Sequence, residues 1–350
     1  MKKKVNELNI HRAIACISVV LVHISAGLIF LGTTGLEMKF LLSFINRSLK
    51  FTTPTFIFIS GFILFYVYQN REINYLSFWK KRLGVILGPY ILWTIFYYGY
   101  FILTGAYNFS WEFFFEKLIF ADMVYHLYFI LIITQFYFLF GVFRYLFVKF
   151  NSHILILIFF LSNLLFMNNF YFKYVDRFFM QYIFFFALGF YLSKNYQEFK
   201  PKILANKFII TLSYLSACGI YAFQFIYMSV LNKPLFSGQT VNNIWFIFSL
   251  ISIIFYLLVS IKIEEGQLDY LKRFFYKVSD GSYYIYLSHP FVLILAEKVV
   301  RKLGLTSASL SFIILTFIVL GVTISGAIGY KSIKNYLNIF TKPKVANSKI

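Results

Sequence analysis

Residues 6–29 read NELNIHRAIACISVVLVHISAGLI. The run is long enough to cross a bilayer and apolar enough to stay there, yet it carries two groups foreign to lipid, Arg12 and His23. Eleven residues separate them, close to three turns at ~100° per residue, so a helix presents both on one face. The axial rise between them is ~16 Å. An ionisable group near mid-bilayer costs roughly 2.5 kcal/mol or more unless it meets a polar cavity. The segment is therefore expected to line a polar tunnel, with a cation at its mouth and an imidazole inside. Plainer readings exist for each residue alone. Arg12 fits a side chain snorkelling to the headgroups, and His23 fits a hydrogen-bonder between helices. Lys2, Lys3 and Lys4 before an apolar run, with Ser25 and Ala26 after it, also imitate a signal peptide; the further apolar spans downstream argue against cleavage.

Composition sets the class. Of 350 residues 60% are hydrophobic and only 13% charged, about half the charged share of a soluble domain. With 48 Phe and 28 Tyr, the chain has the makings of lipid-facing walls and wide interfacial belts. The net charge of +20 does not imply a nucleic-acid partner, because the basic residues are scattered through short connectors instead of gathered on one soluble face. Cys16 and Cys218 both lie in apolar spans without metal-ligand or disulfide spacing, and Cys16 reads as a small buried thiol.

The expected fold is all-α: a polytopic membrane bundle of about ten transmembrane helices, near 9–31, 42–68, 83–104, 123–147, 153–169, 179–194, 207–230, 243–262, 281–301 and 308–331. The fifth and sixth are short and read as tilted or partly re-entrant. Cations concentrate in alternate connectors, at Arg71 and Lys80–Arg82, Arg144 and Lys149, Lys194–Lys207, and Lys262–Lys277. The positive-inside bias then puts both termini in the cytoplasm; Arg301 and Lys302 are a local exception. No internal repeat is apparent, which weakens an inverted-repeat transporter. One domain is expected over 1–340, with a basic tail over 341–350.

Other groups share the polar theme. Pro54, in KFTTPTFIFISGF, is expected to kink the second span, with Thr52 and Thr53 at hand for the loosened backbone. Ser60 and Gly61 fit either close helix packing or the cavity wall facing His23. Lys80, Lys81 and Arg82 fix topology or receive an anionic ligand. His126, beside Tyr125 and Tyr128, is expected near the outer interface. His289 lies about nine residues into the ninth span, at a depth like that of His23. Pro290 follows it, so His289 either shares the tunnel or caps the break.

Taken in order, these pieces resemble the acyltransferase-3 family of integral-membrane acyltransferases, which includes bacterial O-acetyltransferases of surface polysaccharides. Arg12 and His23 match its Arg-ten residues-His signature. Phe56–Phe62, FIFISGF, is similar to its Phe-Phe-x-x-Ser-Gly-Phe element. His126-Leu127-Tyr128-Phe129 resembles its His-Leu-Trp-Tyr, Phe186–Gly189 its Phe-x-x-Gly, and Ser282–Phe291 its Ser-Tyr-x-x-Tyr-x-x-His. Two departures stand out. The family's Arg-x-x-Arg has Arg82 followed by Val85, and its usual acid before the first Arg is Asn9. Members studied as exporters or succinyltransferases of amino-sugar polymers share the pattern too.

The resemblance implies O-acyl transfer, acetyl in the simplest case, from a cytosolic acyl-CoA to a hydroxyl of a lipid-linked or surface glycan, in a bacterial-type plasma membrane. A thioester is already activated, so the protein has only to deprotonate a hydroxyl, place it and stabilise an oxyanion. His23 is the expected general base and Arg12 its catalytic partner. Arg12, Lys80, Lys81 and Arg82 are expected to hold the CoA phosphates; Ser60, His126, Tyr128, Tyr286 and His289 are candidates for orienting the base or acceptor. Acyl-CoA enters as a co-substrate, and no bound cofactor or metal is expected. The rival is a carrier exporting a glycan or small solute through the same polar residues.

Overall fold

The computed structural model describes residues 4–341; Lys2, Lys3 and the tail from 342 onward lie outside the described residues. Thirteen α-helices run through them, with no strand among the described residues. They are α1 (Glu7–Ile29), α2 (Leu36–Ser48), α3 (Thr52–Tyr68), α4 (Tyr75–Leu103), α5 (Trp111–Ile119), α6 (Tyr128–Lys149), α7 (Ser152–Asn169), α8 (Ile183–Lys194), α9 (Tyr196–Ala205), α10 (Lys207–Phe225), α11 (Gly238–Glu265), α12 (Asp269–Lys302) and α13 (Ala308–Thr341). Among the described residues eight helical segments have the length and hydropathy to cross a membrane, so the protein is a multi-pass membrane protein.

Ten spans are expected from the sequence, and two of them fall outside these eight for different reasons. The sixth is α8, whose 12 residues rise only ~18 Å, against the ~30 Å of a hydrocarbon core. Asn163 of α7 supports its start, donating to the Gln181 carbonyl at 3.0 Å and accepting from the Phe184 amide at 3.2 Å. The ninth lies within α12, which is 34 residues long but interrupted by Ser, Tyr and His side chains that it buries against neighbours. The second expected span is also not one helix. The backbone breaks at residues 49–51 between α2 and α3, and Pro54 therefore sits in the first turn of α3. A missing amide proton costs nothing there, so the expected kink is absent.

Helix α1 is the centre of the bundle, packed by α2, α3, α11, α12 and α13. Its start is held by an ionic cluster. Tyr196 donates to Glu7 at 2.8 Å, and Lys200 reaches Glu7 at 3.2 Å and Glu265 at 2.9 Å. The Cys16 thiol points to the Ser282 carbonyl, 3.7 Å away on α12. Arg47 of α2 lies over the Phe225 ring, 3.4 Å from its centroid, and donates to the Tyr221 hydroxyl of α10.

The most extensive helix-helix packing joins α3 to α8. Gly61 and Gly189 meet there back to back. A Cβ on Gly61 would collide with the Phe186 carbonyl, and one on Gly189 with the Phe58 carbonyl and Phe62 amide. Around them, stacked and edge-on rings of Phe136, Phe143, Phe186 and Phe190 fill the core. Small residues are what bring helices together in lipid, where no hydrophobic drive separates one apolar face from another. Gly189→Val should therefore lower stability by about 2–3 kcal/mol through overpacking, whereas Gly219→Ala, with open space around it, should be silent. Thermal melting of the detergent-solubilised variants checks this; a Gly189→Val protein melting with the wild type would count against the crossing.

Candidate active site

Two cavities lie at different depths along α1. One, of about 320 Å³, is lined by Arg12, Ser60, Arg82, Tyr137, Asp280 and Tyr283. Arg12, Arg82 and Asp280 come from the first halves of α1, α4 and α12. The other, of about 300 Å³, is lined by His23, Lys50, Thr53, Tyr125, His126 and Trp245, from the second half of α1, the first turn of α3, the loops before α3 and α6, and the third turn of α11. Phe56, Phe129 and Tyr286 line both. The polar space expected from the sequence thus comprises two cavities whose linings share three rings. A third space, of about 520 Å³, lies between the start of α1 and the end of α3; it is larger but contains none of these groups.

The histidines converge from three elements. His23 stacks on His289 with ring centroids 5.3 Å apart and planes 23° apart. His126 meets His289 edge-on at 5.2 Å, and Tyr125 lies against His23 at 4.5 Å. His126 is buried within the protein, to 1% exposure. The reason is local. Residues 121–127 form a turn ahead of α6 that starts with a left-handed Ala121 and folds the ring inward. Arg177 and Lys117 both reach Asp122 at 2.5 Å, and Arg177 also donates to the Phe120 carbonyl, which ties this turn down.

His289 does two things at once. Pro290 has no amide proton to give the Tyr286 carbonyl four residues back, and His289 Nδ1 lies 2.8 Å from that oxygen. A carbonyl only accepts, so the contact places the proton on Nδ1; Nε2 has no hydrogen-bond partner among the described residues. One residue further on, the Tyr97 hydroxyl of α4 inserts into the ladder, donating to the Leu287 carbonyl at 2.9 Å and accepting the Phe291 amide at 3.2 Å. Tyr286 donates to the His126 carbonyl. His289 therefore caps the proline break and also backs His23, although it lines neither cavity itself.

The remaining candidates divide. Ser60 faces the Arg12 chamber and donates to the Phe56 carbonyl at 2.8 Å. Tyr128 pairs with Thr53 at 2.7 Å in the His23 chamber. Of the basic trio only Arg82 joins Arg12. Lys80 and Lys81 are exposed in the opening turns of α4, which begins at Tyr75, earlier than expected, with Asn74 as its cap, accepting the Ser77 amide at 3.0 Å. Val85, where the resembled motif has its second arginine, lines the Arg12 chamber. Sequence reading missed Lys50, Trp245, Tyr97 and Asp280. Lys50 had a signal, a cation inside an apparent apolar span; the other three had none that their spacing reveals. No cluster of three metal-ligating side chains occurs among the described residues.

The structure defines a helical membrane bundle that carries a histidine and an arginine on one buried helix, each lining its own cavity. Comparison with known proteins narrows this. The sequence profile of the acyltransferase-3 family, described as an acyltransferase domain, matches residues 5–330, and the chain belongs to that family. Curated relatives from Staphylococcus aureus (strain MSSA476) and Staphylococcus epidermidis are each 28% identical, over 312 and 313 residues. These alignments span 84% of this chain and 83% and 82% of theirs. Both relatives are named "Probable poly-beta-1,6-N-acetyl-D-glucosamine export protein". No solved structure matches the chain.

Burial alone would raise the Asp122 carboxyl, but the hydrogen bonds from Lys117 and Arg177 outweigh it and hold Asp122 below the usual carboxylate range. A group depressed in this way stabilises the fold fully above its unfolded value, about 3.9 for aspartate, and the contribution vanishes as pH falls through the lower folded value. Asp122→Asn should thus lower the melting temperature by a few degrees at pH 7, and the gap should close on acidification below pH 4. Parallel melting curves of variant and wild type across pH check this; a gap that persists in acid would separate the turn's stability from the carboxylate.

Proposed function

We propose that the protein transfers an acyl group, acetyl in the simplest case, from acyl-CoA to a hydroxyl of a lipid-linked or surface glycan. The observation that carries the reading is the pairing of Arg12 and His23. They share one face of the central helix, ~16 Å apart, and each lines a separate cavity in a chain of an acyltransferase family. Arg12 and Arg82 suit phosphates, which guanidinium groups bind through two parallel hydrogen bonds. The distance suits a donor whose phosphates stay in the Arg12 chamber while its pantetheine arm reaches inward. The exposed Lys80 and Lys81 then act at long range, drawing the anion to the entrance.

His23 is the general base. Neutral imidazole accepts the hydroxyl proton near pH 7; the oxygen attacks the thioester carbonyl, the C–S bond breaks, and CoA leaves as a thiolate that takes up a proton. His289 holds the His23 ring from behind, and Tyr125 and Thr53 shape the pocket for the acceptor. In this reading both termini are cytoplasmic in a bacterial plasma membrane, the donor enters from the cytoplasm, residues 1–340 act as one domain, and the acceptor is reached from the opposite face. The glycan is suggested by the relatives' names. Those names also support a second reading, a carrier that exports a polymer. Purified protein decides between them, since an enzyme works in detergent whereas a carrier needs sealed vesicles.

His23→Ala should cut transfer of labelled acetyl from acetyl-CoA by ~10²–10⁴-fold in protein that still melts like the wild type; activity within threefold of wild type would remove the base. Arg12→Gln should act on the donor, raising KM for acyl-CoA with a smaller change in kcat. A rise in acceptor KM with donor KM unchanged would assign the two chambers the other way round.

A further inference from the structure

We infer that Phe56, Phe129 and Tyr286 form a closed partition between donor and acceptor chambers, and that the acyl group changes hands across it. The inference rests on the acyl-transfer reading. Its basis is the wall itself. These three rings, from α3, α6 and α12, line both cavities. Phe129 stands between the others, 5.8 Å from Phe56 and 5.8 Å from Tyr286 by ring centroids. Tyr286 is tethered by its bond to the His126 carbonyl, whereas Phe56 and Phe129 carry no polar atom to fix them.

The pattern along α3 makes the wall legible. Thr52, Phe56 and Ser60 are spaced four apart and so share one stripe of the helix, ~12 Å long. Thr52 faces the His23 chamber, Ser60 the Arg12 chamber, and Phe56 both. A polar stripe is thus interrupted by an aromatic ring at the level where the cavities meet. Arrayed this way, the rings leave the donor phosphates on one side and the acceptor hydroxyl on the other, and only the thioester carbonyl has to pass between them. The overall change conserves every atom: hydroxyl and acyl-CoA give ester and CoA thiol, the new C–O bond replacing C–S, with the hydroxyl proton carried off by His23. Water could attack the same carbonyl and waste the donor. Apolar rings around the crossing point exclude it, as closed active sites do for other reactive acyl groups.

Labelling reads the wall without turnover. In a Cys16→Ser, Cys218→Ser background reconstituted in sealed vesicles, Thr52→Cys should react with a membrane-impermeant methanethiosulfonate from one face alone. Adding Phe56→Ala and Phe129→Ala should make it react from the other face as well. In detergent, the same pair in the wild-type background should raise acetyl-CoA hydrolysis without acceptor several-fold relative to transfer. If the alanine pair does not fold, Phe56→Leu and Phe129→Leu, which keep most of the volume, should shift both readouts partway. Labelling from both faces with the rings intact, or from one face after they are trimmed, would overturn the partition. The expected labelling in protein that consumes no acetyl-CoA would keep the wall and overturn the acyl crossing.

Discussion

Hydrocarbon offers no partner to a guanidinium or an imidazole, and the architecture follows from that. Arg12 and His23 sit on α1, so α1 cannot face lipid on the side that bears them. Five helices close around it, and the sides facing them carry polar groups of their own: Thr52, Thr53 and Ser60 on α3, Ser279, Asp280 and Ser282 on α12. Close approach of α3 and α8 through Gly61 and Gly189 fixes how α3 is rotated. With Gly61 turned toward α8, its neighbour Ser60, ~100° round the helix, is free to face the Arg12 chamber. A packing contact on one side of α3 thereby sets which polar groups meet α1 on the other.

The break at Pro290 belongs to the same economy. A proline inside a helix leaves a carbonyl unsatisfied, which is expensive in a membrane. The chain meets it with groups the site also uses. His289 holds the Tyr286 carbonyl and in doing so fixes its ring against His23; Tyr97 completes the next rung; Tyr286 in turn holds the carbonyl of His126. The defect and the polar centre share their contacts, so that the ring stacked on His23 is held by the demands of the backbone. Preorganisation of this kind is what the general base proposed at His23 would need from its surroundings.

Much of this was legible in sequence, for a physical reason. In lipid every ionisable residue is an exception, so Arg12, His23 and His289 announced themselves by depth and helical spacing alone. The acyltransferase-3 resemblance rested on ordered motifs, and two of them, FIFISGF and FALG, turn out to be the two sides of the α3–α8 crossing. What stayed hidden depended on three dimensions. A break at Leu49–Phe51 gives no composition signal, so α2 and α3 read as one span and Pro54 as a kink. The inward turn of His126 depends on Asp122 meeting Arg177, 55 residues away. Tyr97, one tyrosine among 28, has nothing in its local sequence to mark it as the group that mends α12. Lys80 to Arg82 read as one cluster because they are adjacent, but adjacent residues on a helix point ~100° apart, and only Arg82 turns toward Arg12.

The shape of the interior also bears on the choice between transfer and export. A carrier that passes a polymer has to accommodate a hydrated sugar ring at every depth, and it has to open at both ends in turn. Here the two cavities along α1 meet across three aromatic side chains, one of them tied to backbone. An acyl carbonyl is far smaller than a sugar and needs no continuous path, only an approach within ~3–3.5 Å of an oxygen held on the far side. Two chambers with a thin wall suit a reaction in which neither reactant crosses whole, and they suit it best when the base stands on one side and the anion-binding arginines on the other. In the proposed reaction Arg12 and His23 make that division by their spacing on α1, each lining its own cavity.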